Sequence, residues 1–534
     1  MNSMELKVNP SSMGHFRSLG DVAGVSVLLI AGVIAAGAPH AEEAAAPPLS
    51  EETEACIVCH EAVSPGIVED WRRSHHAGTT PSEALAVPAL ERHVSAESVP
   101  PHLAGVAVGC YECHSLNPEA HADNFDHFDY RINVVVSPPD CATCHPEETK
   151  EYARSKKAHA VGNLEKNPIY SLLVATNIGV KEVRDGEFLA HAPSQAAKMD
   201  ACFGCHGTHV EVEGTREVET DLGTIEVPAL TNWPSQGVGR LNPDGSMGAC
   251  TACHPRHGFS IATARKPATC GQCHLEPDVP ALNVYKESKH GNMYSSEGGK
   301  WNWDAVPWKV GTDFKAPSCA ACHVSLLTGP DGKDVVAPQT HDFGARLWVR
   351  VFGLPYSHPQ PRHGDTSVIR NADDLPLPTT FAGVPASEEF LLTEEEQAAR
   401  KAVMQGVCKS CHSTQWTEGH FAKMDRTVED TDRMTLAATK LLQEAWARGL
   451  ADPENPFDEN IEVLWVKQWV FYASSTRYAS AMSGPDYAAF KNGWFELTHN
   501  LQRMKDFLKF APAEEPEPEP EKKGKGKKGG RKKR

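Results

Sequence analysis

The sequence predicts a mainly α-helical fold with an unusual core, and three observations lead to this prediction. All sixteen cysteines fall into eight copies of the pentapeptide Cys-x-x-Cys-His. Up to about Pro385, frequent proline and glycine leave room only for short helices between these copies. Beyond Pro385 the apolar residues recur with the three- and four-residue spacing of longer helices.

The eight pentapeptides predict covalent haem attachment. In this motif both thiols bond to a haem and the adjacent histidine ligates its iron. Structural zinc and disulfide pairing also use Cys-x-x-Cys, but neither needs a histidine after every copy. We therefore expect eight haem c groups. The attachment cysteines are Cys56, Cys59, Cys110, Cys113, Cys141, Cys144, Cys202, Cys205, Cys250, Cys253, Cys270, Cys273, Cys319, Cys322, Cys408 and Cys411. The proximal ligands are His60, His114, His145, His206, His254, His274, His323 and His412.

The haems must share walls with one another. About 59 residues are available per haem, fewer than a self-standing domain with its own apolar core needs. The motifs are also unevenly spaced, which excludes a tandem array of identical modules. The predicted architecture is a multihaem cytochrome c fold with a haem-packed core and long C-terminal helices.

Eighteen of the 26 histidines lie outside the motifs and are candidates for the second axial position of the irons. Three follow an aromatic residue and a serine, in Trp71-x-x-Ser74-x-His76, in Tyr285-x-x-Ser288-x-His290 and, with two extra residues, in Tyr152-x-x-Ser155 before His159. His75 is an alternative to His76, and one of His121 and His127 is expected to serve. The candidate distal ligands are His76, His127, His159, His209, His257, His290, His341 and His420.

Three helices are expected after Pro385. Thr393 and Glu396 form a capping box that begins the first helix, which Gly406 ends or kinks. The second helix runs from about Val428 to Gly449. Its apolar face carries Met434, Ala438, Leu441 and Ala445. The third helix begins near Ile461 and places Trp465, Trp469 and Tyr472 at helical spacing.

The last segment carries an apolar seam at alternating steps of three and four residues. The seam consists of Tyr487, Phe490, Trp494, Leu497, Leu501, Met504 and Leu508. It begins after Gly484, Pro485 and Asp486, where Pro breaks the preceding helix and Asp caps the next. Such a seam packs either on its own chain or on another subunit, and we favour self-association.

The N-terminal apolar run predicts export, and the net negative charge argues against nucleic acid as a partner. An apolar run after Lys7 and Arg17 resembles a secretory signal, with a retained membrane anchor as the alternative. The formal charge of -18 disfavours nucleic-acid binding, and the basic tail is expected to be disordered and solvated rather than a docking element.

The predicted divisions are a signal peptide or anchor at 1–41, a haem domain with seven motifs at 42–385, a C-terminal helical domain with the eighth at 386–510, and the tail at 511–534.

The flanks of several motifs carry a family resemblance. The chain reads CTACHPRHGFS from Cys250, CGQCHLEPD from Cys270 and YKESKHG from Tyr285. It continues with THD from Thr340 and CKSCHSTQWTEGHF from Cys408. Over roughly residues 50–510 these segments resemble octahaem hydroxylamine oxidoreductase.

The resemblance implies a periplasmic homotrimer in which the fourth haem, on Cys202 and Cys205 with His206 as its proximal ligand, is catalytic. It implies a small inorganic nitrogen substrate and a redox partner, either a cytochrome or a quinone-linked protein. In oxidative members a tyrosine from a neighbouring subunit cross-links to the catalytic haem. Tyr487 or Tyr478 is the candidate here.

One departure from the family pattern leaves the direction of catalysis open. The pattern has Pro-Asp-His after the sixth motif, whereas this chain has Pro277, Asp278 and Val279. Asp278 therefore remains as the acid-base group without the histidine. Hydroxylamine oxidation is favoured, reduction of nitrite or hydroxylamine is the alternative, and a purely electron-transferring protein is a third possibility. All eight motifs end in histidine, so octahaem nitrite reductases with a motif lysine are not matched.

Overall fold

Most regular structure in the computed structural model is helical, and the prediction of a mainly α fold is confirmed. The structure describes residues 46–220 and 223–511. The predicted signal peptide or anchor and the predicted charged tail from residue 512 lie outside the described residues. In the part of the chain that is described, no helix combines the length and the apolar character needed to cross a membrane.

The helices are short up to the seventh motif and long after it. The first twelve are α1 Glu51–Val63, α2 Pro65–Arg72, α3 His75–Gly78, α4 Pro81–Ala86, α5 Pro101–Ala104, α6 Cys110–His114, α7 Pro138–Cys141, α8 Pro146–Arg154, α9 Ala160–Glu165, α10 Pro168–Ile178, α11 Gln195–Asp200 and α12 Cys202–His206. The others are α13 Ile261–Arg265, α14 Pro267–Gly271, α15 Ala281–Glu287, α16 Lys289–Glu297, α17 Cys319–His323, α18 Glu394–Lys409, α19 Thr414–Ala447, α20 Asn460–Val466, α21 Ser474–Met482, α22 Pro485–Ala489 and α23 Trp494–Phe510. Cys250–Ala252 and Gly298–Lys300 form 3-10 turns, and Lys467–Ala473 is a π-helical segment.

The strands form small antiparallel hairpins and one three-stranded sheet. They are β1 Asn124–His127, β2 Tyr130–Asn133, β3 Val180–Arg184, β4 Glu187–His191, β5 Val212–Thr220, β6 Gly223–Leu230, β7 Trp308–Lys309, β8 Leu327–Thr328, β9 Val335–Ala337, β10 Val349–Arg350 and β11 His358–Pro359. In the sheet β7 and β8 are parallel and β8 and β9 antiparallel. The hairpin β3–β4 and most of the hairpin β5–β6 are exposed, so neither contributes much to the core.

The apolar core is divided into separate clusters, and the largest is built by the C-terminal helices. In that cluster Leu442, Ile461, Trp465 and Met504 come from α19, α20 and α23. The motif segments instead surround a large cavity. This distribution agrees with a core that prosthetic groups fill. The predicted boundary between residues 385 and 386 stays a prediction.

The capping box is present at the start of α18, where Thr393 accepts a hydrogen bond from the Glu396 amide and Glu396 accepts one from the Thr393 amide. The helix does not end at Gly406, so that part of the prediction is wrong. The helix continues to Lys409 and so carries Cys408 in its last turn. A glycine inside a helix lowers helix stability by only about 1 kcal/mol relative to alanine. Contacts elsewhere offset this loss.

The next helix begins much earlier than the expected start near Val428. Ser413 caps it, and α19 runs for 34 residues directly from the eighth motif. Ala438 and Ala445 of the predicted face are buried, and Met434 and Leu441 pack against core clusters, so that face is confirmed. The buried side also carries Thr431, Thr435 and Thr439, whose hydroxyls bond to neighbouring groups, so the hydrophobic pattern misplaced only the start of the helix. Gly449 has a φ of 65° after the helix end, as its predicted C' role requires.

The predicted helix near Ile461 is confirmed, and the predicted seam is interrupted. α20, the π-helical segment and α21 follow one another without a break. The seam falls into two helices, α22 and α23, separated around Phe490, which is 68% exposed. Leu497, Met504 and Leu508 are buried against helices of the same chain. These three seam residues therefore pack intramolecularly, and the expected self-association stays a prediction.

Candidate functional site

The motif residues meet in one continuous cavity of about 2470 Å³. All eight motif histidines and every motif cysteine except Cys59 line it. Burial lowers the pKa of His206, His254 and His323 to about 4, so these imidazoles are neutral, which is the state that a metal ligand requires. The donor set and the space therefore fit haem c groups.

Three histidines outside the motifs face a motif histidine at the spacing of two axial ligands. Two metal–nitrogen bonds of about 2 Å, with half an imidazole ring at each end, separate the ring centres by roughly 6 Å. The observed ring-centre distances are 6.2 Å for His60 and His127, 6.4 Å for His145 and His76, and 6.1 Å for His412 and His290. This places candidates at the first, third and eighth motifs.

Three further candidate ligands line the cavity. His257 lies near His114, which lowers the pKa of His257. His341 lies near His254 and lowers the pKa of His254. His420 is different, because its Nε2 donates to the carbonyl of Ala481 at 3.1 Å while its ring stacks on Trp416. The structure thus brings His257 and His341 to the second and fifth motifs.

Three other histidines considered from the sequence do not line the cavity. The Nε2 of His159 donates to the Ala153 carbonyl at 3.0 Å. His209 lies 2.8 Å from the Glu165 carboxylate and is partly exposed. His121 is buried between the carboxylates of Asp123 and Asp140.

The fourth motif occupies the short helix α12, whose end is fixed by a close backbone approach. The φ of Gly207 is 103°, and a Cβ there would lie 2.4 Å from the Arg240 nitrogen, so only glycine fits. The Nδ1 of His206 donates to the Ala160 carbonyl at 3.3 Å, which orients Nε2 for a metal. Among the described residues no ring contact pairs His206 with another imidazole.

Acid-base groups gather beside the fourth motif. Burial raises the pKa of Asp278, which lines the cavity and lies close enough to Cys202 to raise the pKa of that thiol further. Burial also raises the pKa of Tyr478 to about 12, and Asp278 and Arg350 are among its charged neighbours. Arg350 also lies near His206. A carboxyl, a phenol and a guanidinium therefore share this part of the cavity.

The other candidate tyrosine is placed differently. Tyr487 is fully buried, and its hydroxyl donates to the Glu276 carboxylate at 2.6 Å. It does not line the cavity, whereas Tyr478 does. Of the two tyrosines, only Tyr478 is therefore positioned to face the groups of the fourth motif.

Cysteines of different motifs approach one another in pairs, which defines how the motifs adjoin. The side chains lie close together in the pairs Cys56 and Cys110, Cys141 and Cys250, Cys205 and Cys273, and Cys270 and Cys319. Cys253 lies near Cys270, and Cys322 lies near Cys408. The sixth motif, at Cys270 and Cys273, therefore adjoins the fourth, fifth and seventh.

Sequence reasoning missed three cavity residues. Lys157 Nζ lies 2.8 Å from His274 Nε2, and Arg350 lies beside the fourth motif. His93 packs on His75, with ring centres 5.1 Å apart. No single-sequence signal marks Arg350 or His93, because they reach the cavity only through chain folding. Lys157 does have a sequence signal, because it stands two residues after Ser155, as His76 and His290 stand two residues after a serine.

Two family profiles match parts of the chain. The profile described as seven times multi-haem cytochrome CxxCH matches residues 244–339. The profile described as cytochrome c554 and c-prime matches residues 140–225. Both matches support haem c as the group that the motifs bind.

Solved structures share the architecture. A chain titled hypothetical multiheme protein is 43% identical, with a TM-score of 0.82, over 86% of this chain and 96% of that one. The reducing HAO-like protein complex of Kuenenia stuttgartiensis is 17% identical, with a TM-score of 0.54, over 85% of this chain and 84% of that one. The second likeness shows the fold alone.

A curated protein of Kuenenia stuttgartiensis is similar over most of this chain. It is described as a probable nitrite reductase-hydroxylamine oxidoreductase fusion protein and is 23% identical over 422 residues. The match covers 74% of this chain and 38% of that protein. The chain therefore spans well under half the length of this relative.

Proposed function

Because this chain belongs to the multihaem c-type cytochromes related to octahaem hydroxylamine oxidoreductase, we propose that it is an octahaem oxidoreductase acting on small inorganic nitrogen compounds. The proposed reaction is oxidation of hydroxylamine at the fourth haem. The observation that carries the proposal is the convergence of Asp278, Tyr478 and Arg350 beside the fourth motif. The motifs at His60, His145 and His412 instead face another imidazole.

A haem c held by Cys202, Cys205 and His206 would supply an iron that binds the substrate nitrogen and passes electrons onward. The chain's own residues handle the protons. Asp278 lies near the motif, and its pKa is raised. It takes protons from the N–H and O–H groups of hydroxylamine as electrons leave. Arg350 is the nearby cation and favours anionic products such as nitrite.

Haems held by the motifs would supply the path for electrons, and the sixth motif would hold the first of them after the fourth. Cys205 of the fourth motif lies beside Cys273 of the sixth, and Cys270 of the sixth lies beside Cys319 of the seventh. A soluble cytochrome or a quinone-linked protein is the proposed acceptor, in the periplasm, where c-type haem attachment takes place. The proposed assembly is a homotrimer.

Reduction of nitrite or hydroxylamine is the second candidate function. The observation in its favour is the raised pKa of Asp278, because a carboxyl that stays protonated longer can deliver protons for N–O cleavage. Tyr478 is a further proton donor at the same place. An electron-transfer protein without catalysis is the third candidate, and the same experiment separates it from both enzymes.

The test uses the purified holoprotein and its Asp278→Asn variant. We expect the wild type to bind carbon monoxide at one reduced haem and to oxidise hydroxylamine with an artificial acceptor. Asp278→Asn is expected to keep the carbon monoxide binding. Its turnover rate is expected to fall roughly 100-fold or more, which is the usual rate contribution of a general acid-base group. Consumption of nitrite with a reduced donor, without hydroxylamine oxidation, would select the reductive candidate. Absence of carbon monoxide binding and of a high-spin ferric signal would leave only electron transfer.

Asp200→Asn is the matched control variant. Asp200 ends helix α11, two residues before Cys202, and is exposed. It carries the same charge change near the same motif without lining the cavity. Equal losses of turnover in both variants would show that charge near the motif, rather than proton transfer by Asp278, explains the effect.

A further inference from the structure

One local structure occurs three times in the described part of the chain, and its middle copy carries a lysine where the other two carry a histidine. Each copy has an aromatic residue, a serine three residues later and a cavity-lining residue two residues after the serine; we name it the aromatic-serine turn. The three copies are Trp71-x-x-Ser74-x-His76, Tyr152-x-x-Ser155-x-Lys157 and Tyr285-x-x-Ser288-x-His290.

The three copies have the same backbone conformation up to the serine. In each, the aromatic residue is buried near the end of a helix, α2, α8 or α15, and its carbonyl accepts a hydrogen bond from the serine amide. The φ and ψ angles are -80° and 158° at Ser74, -78° and 153° at Ser155, and -74° and 161° at Ser288. All three serines are buried. The residue two positions after the serine lies in a helix at His76 and His290 and in a turn at Lys157, and it lines the cavity each time.

In two copies that residue faces a motif histidine of another segment. His76 faces His145 of the third motif and His290 faces His412 of the eighth, at ring-centre distances of 6.4 and 6.1 Å. In the middle copy the Nζ of Lys157 lies 2.8 Å from Nε2 of His274, the atom through which a motif histidine binds iron. The three turns thus direct their side chains at three different irons.

We propose that Lys157 is the distal axial ligand of the sixth haem, giving it lysine and histidine coordination. The amine loses its ammonium proton to solvent and its lone pair binds the iron. Two metal–nitrogen bonds of about 2 Å span about 4 Å, so Nζ withdraws by about 1 Å, which the flexible four-carbon side chain of lysine accommodates. His159 cannot compete from its observed position, because its Nε2 donates to the backbone.

This ligand matters because of where the sixth motif lies. It adjoins the fourth, fifth and seventh motifs through Cys273 and Cys270. An amine is a different electron donor from an imidazole and shifts the potential of the haem through which the fourth motif connects to the others. The inference concerns the cofactor and stands whichever reaction the fourth haem performs.

The test compares the ferric holoprotein with two variants by electron paramagnetic resonance and near-infrared magnetic circular dichroism, which separate lysine–histidine from bis-histidine low-spin haems. We expect one eighth of the haem in the wild type to carry the lysine–histidine signature. Lys157→His is expected to convert that fraction to bis-histidine, since it restores the residue found in the other two turns. Lys157→Ala is expected to lose the signature and to bind one more equivalent of carbon monoxide when reduced.

Lys150→Ala is the matched control, because Lys150 is an exposed lysine on the same helix α8. It is expected to keep every wild-type signal. Absence of the lysine–histidine signature from the wild type would overturn the proposal. Its persistence in Lys157→His would also overturn it, since that variant retains a ligand and the local turn. The ratio of carbon monoxide bound by Lys157→Ala and wild type tests Lys157 separately from the fourth haem.

Discussion

His121 provides a sharp test of how this chain divides its histidines between irons and protein structure. Its side chain is completely buried between Asp123 and Asp140, with one ring nitrogen 3.2 Å from each carboxylate. Burial by itself lowers the pKa of His121, but the hydrogen bonds and charges of the two aspartates outweigh burial and raise the pKa to about 10. The imidazolium therefore holds two buried carboxylates together. We expect His121→Leu to destabilise the protein without removing an iron ligand.

The magnitude follows from the pKa. A rise from 6.5 to about 10 corresponds to roughly 5 kcal/mol at about 1.4 kcal/mol per unit. Because the folded pKa is the higher one, this stability is fully present below pH 6.5, declines with rising pH, and is lost as pH passes about 10. At pH 7 the loss in His121→Leu is expected near the 3–5 kcal/mol typical of breaking a buried ion pair.

The assay is urea unfolding of the holoprotein followed by far-ultraviolet circular dichroism at pH 6, 8 and 10. The stability gap between wild type and His121→Leu is expected to be widest at pH 6 and smallest at pH 10. His102→Leu, at an exposed position on α5, is the control and is expected to change stability by less than about 0.5 kcal/mol. A gap that is small at every pH, together with a new high-spin haem, would refute the reasoning and make His121 an iron ligand.

Three other predictions follow from the placement of single side chains. His290→Ala is expected to create a high-spin ferric haem seen by electron paramagnetic resonance, whereas His209→Ala is not, because His209 lies outside the cavity. Tyr487→Phe is expected to lower the free energy of unfolding by about 1.5–3 kcal/mol, since Glu276 loses its partner, while the haem spectrum stays unchanged; a changed spectrum would contradict this placement. Thr393→Ala is expected to cost about 1 kcal/mol in urea unfolding by removing the cap of α18, and an unaltered midpoint would contradict that role.

Patterns that rest on neighbouring residues were readable from the sequence. The capping box of Thr393 and Glu396 and the C' role of Gly449 depend only on residues a few positions apart, and both are present. The helix does not end at Gly406, and the inner residues of the seam pack within the chain. In both cases contacts with distant segments outweighed the local pattern, because packing of an amphipathic helix contributes more than intrinsic propensity.

The sequence by itself determined the chemistry that the chain can hold. Sixteen cysteines and eight histidines in one repeated motif specify haem attachment, because thioether bonds and iron ligation depend on five consecutive residues. Only the tertiary structure decided which distant residue faces which motif. Asp278, Tyr478 and Arg350 meet beside His206 although they are up to about 200 residues apart in the chain, and Lys157 reaches His274 across 117 residues. Such partners leave no mark at fixed spacing, since long-range contacts are set by how the whole chain packs.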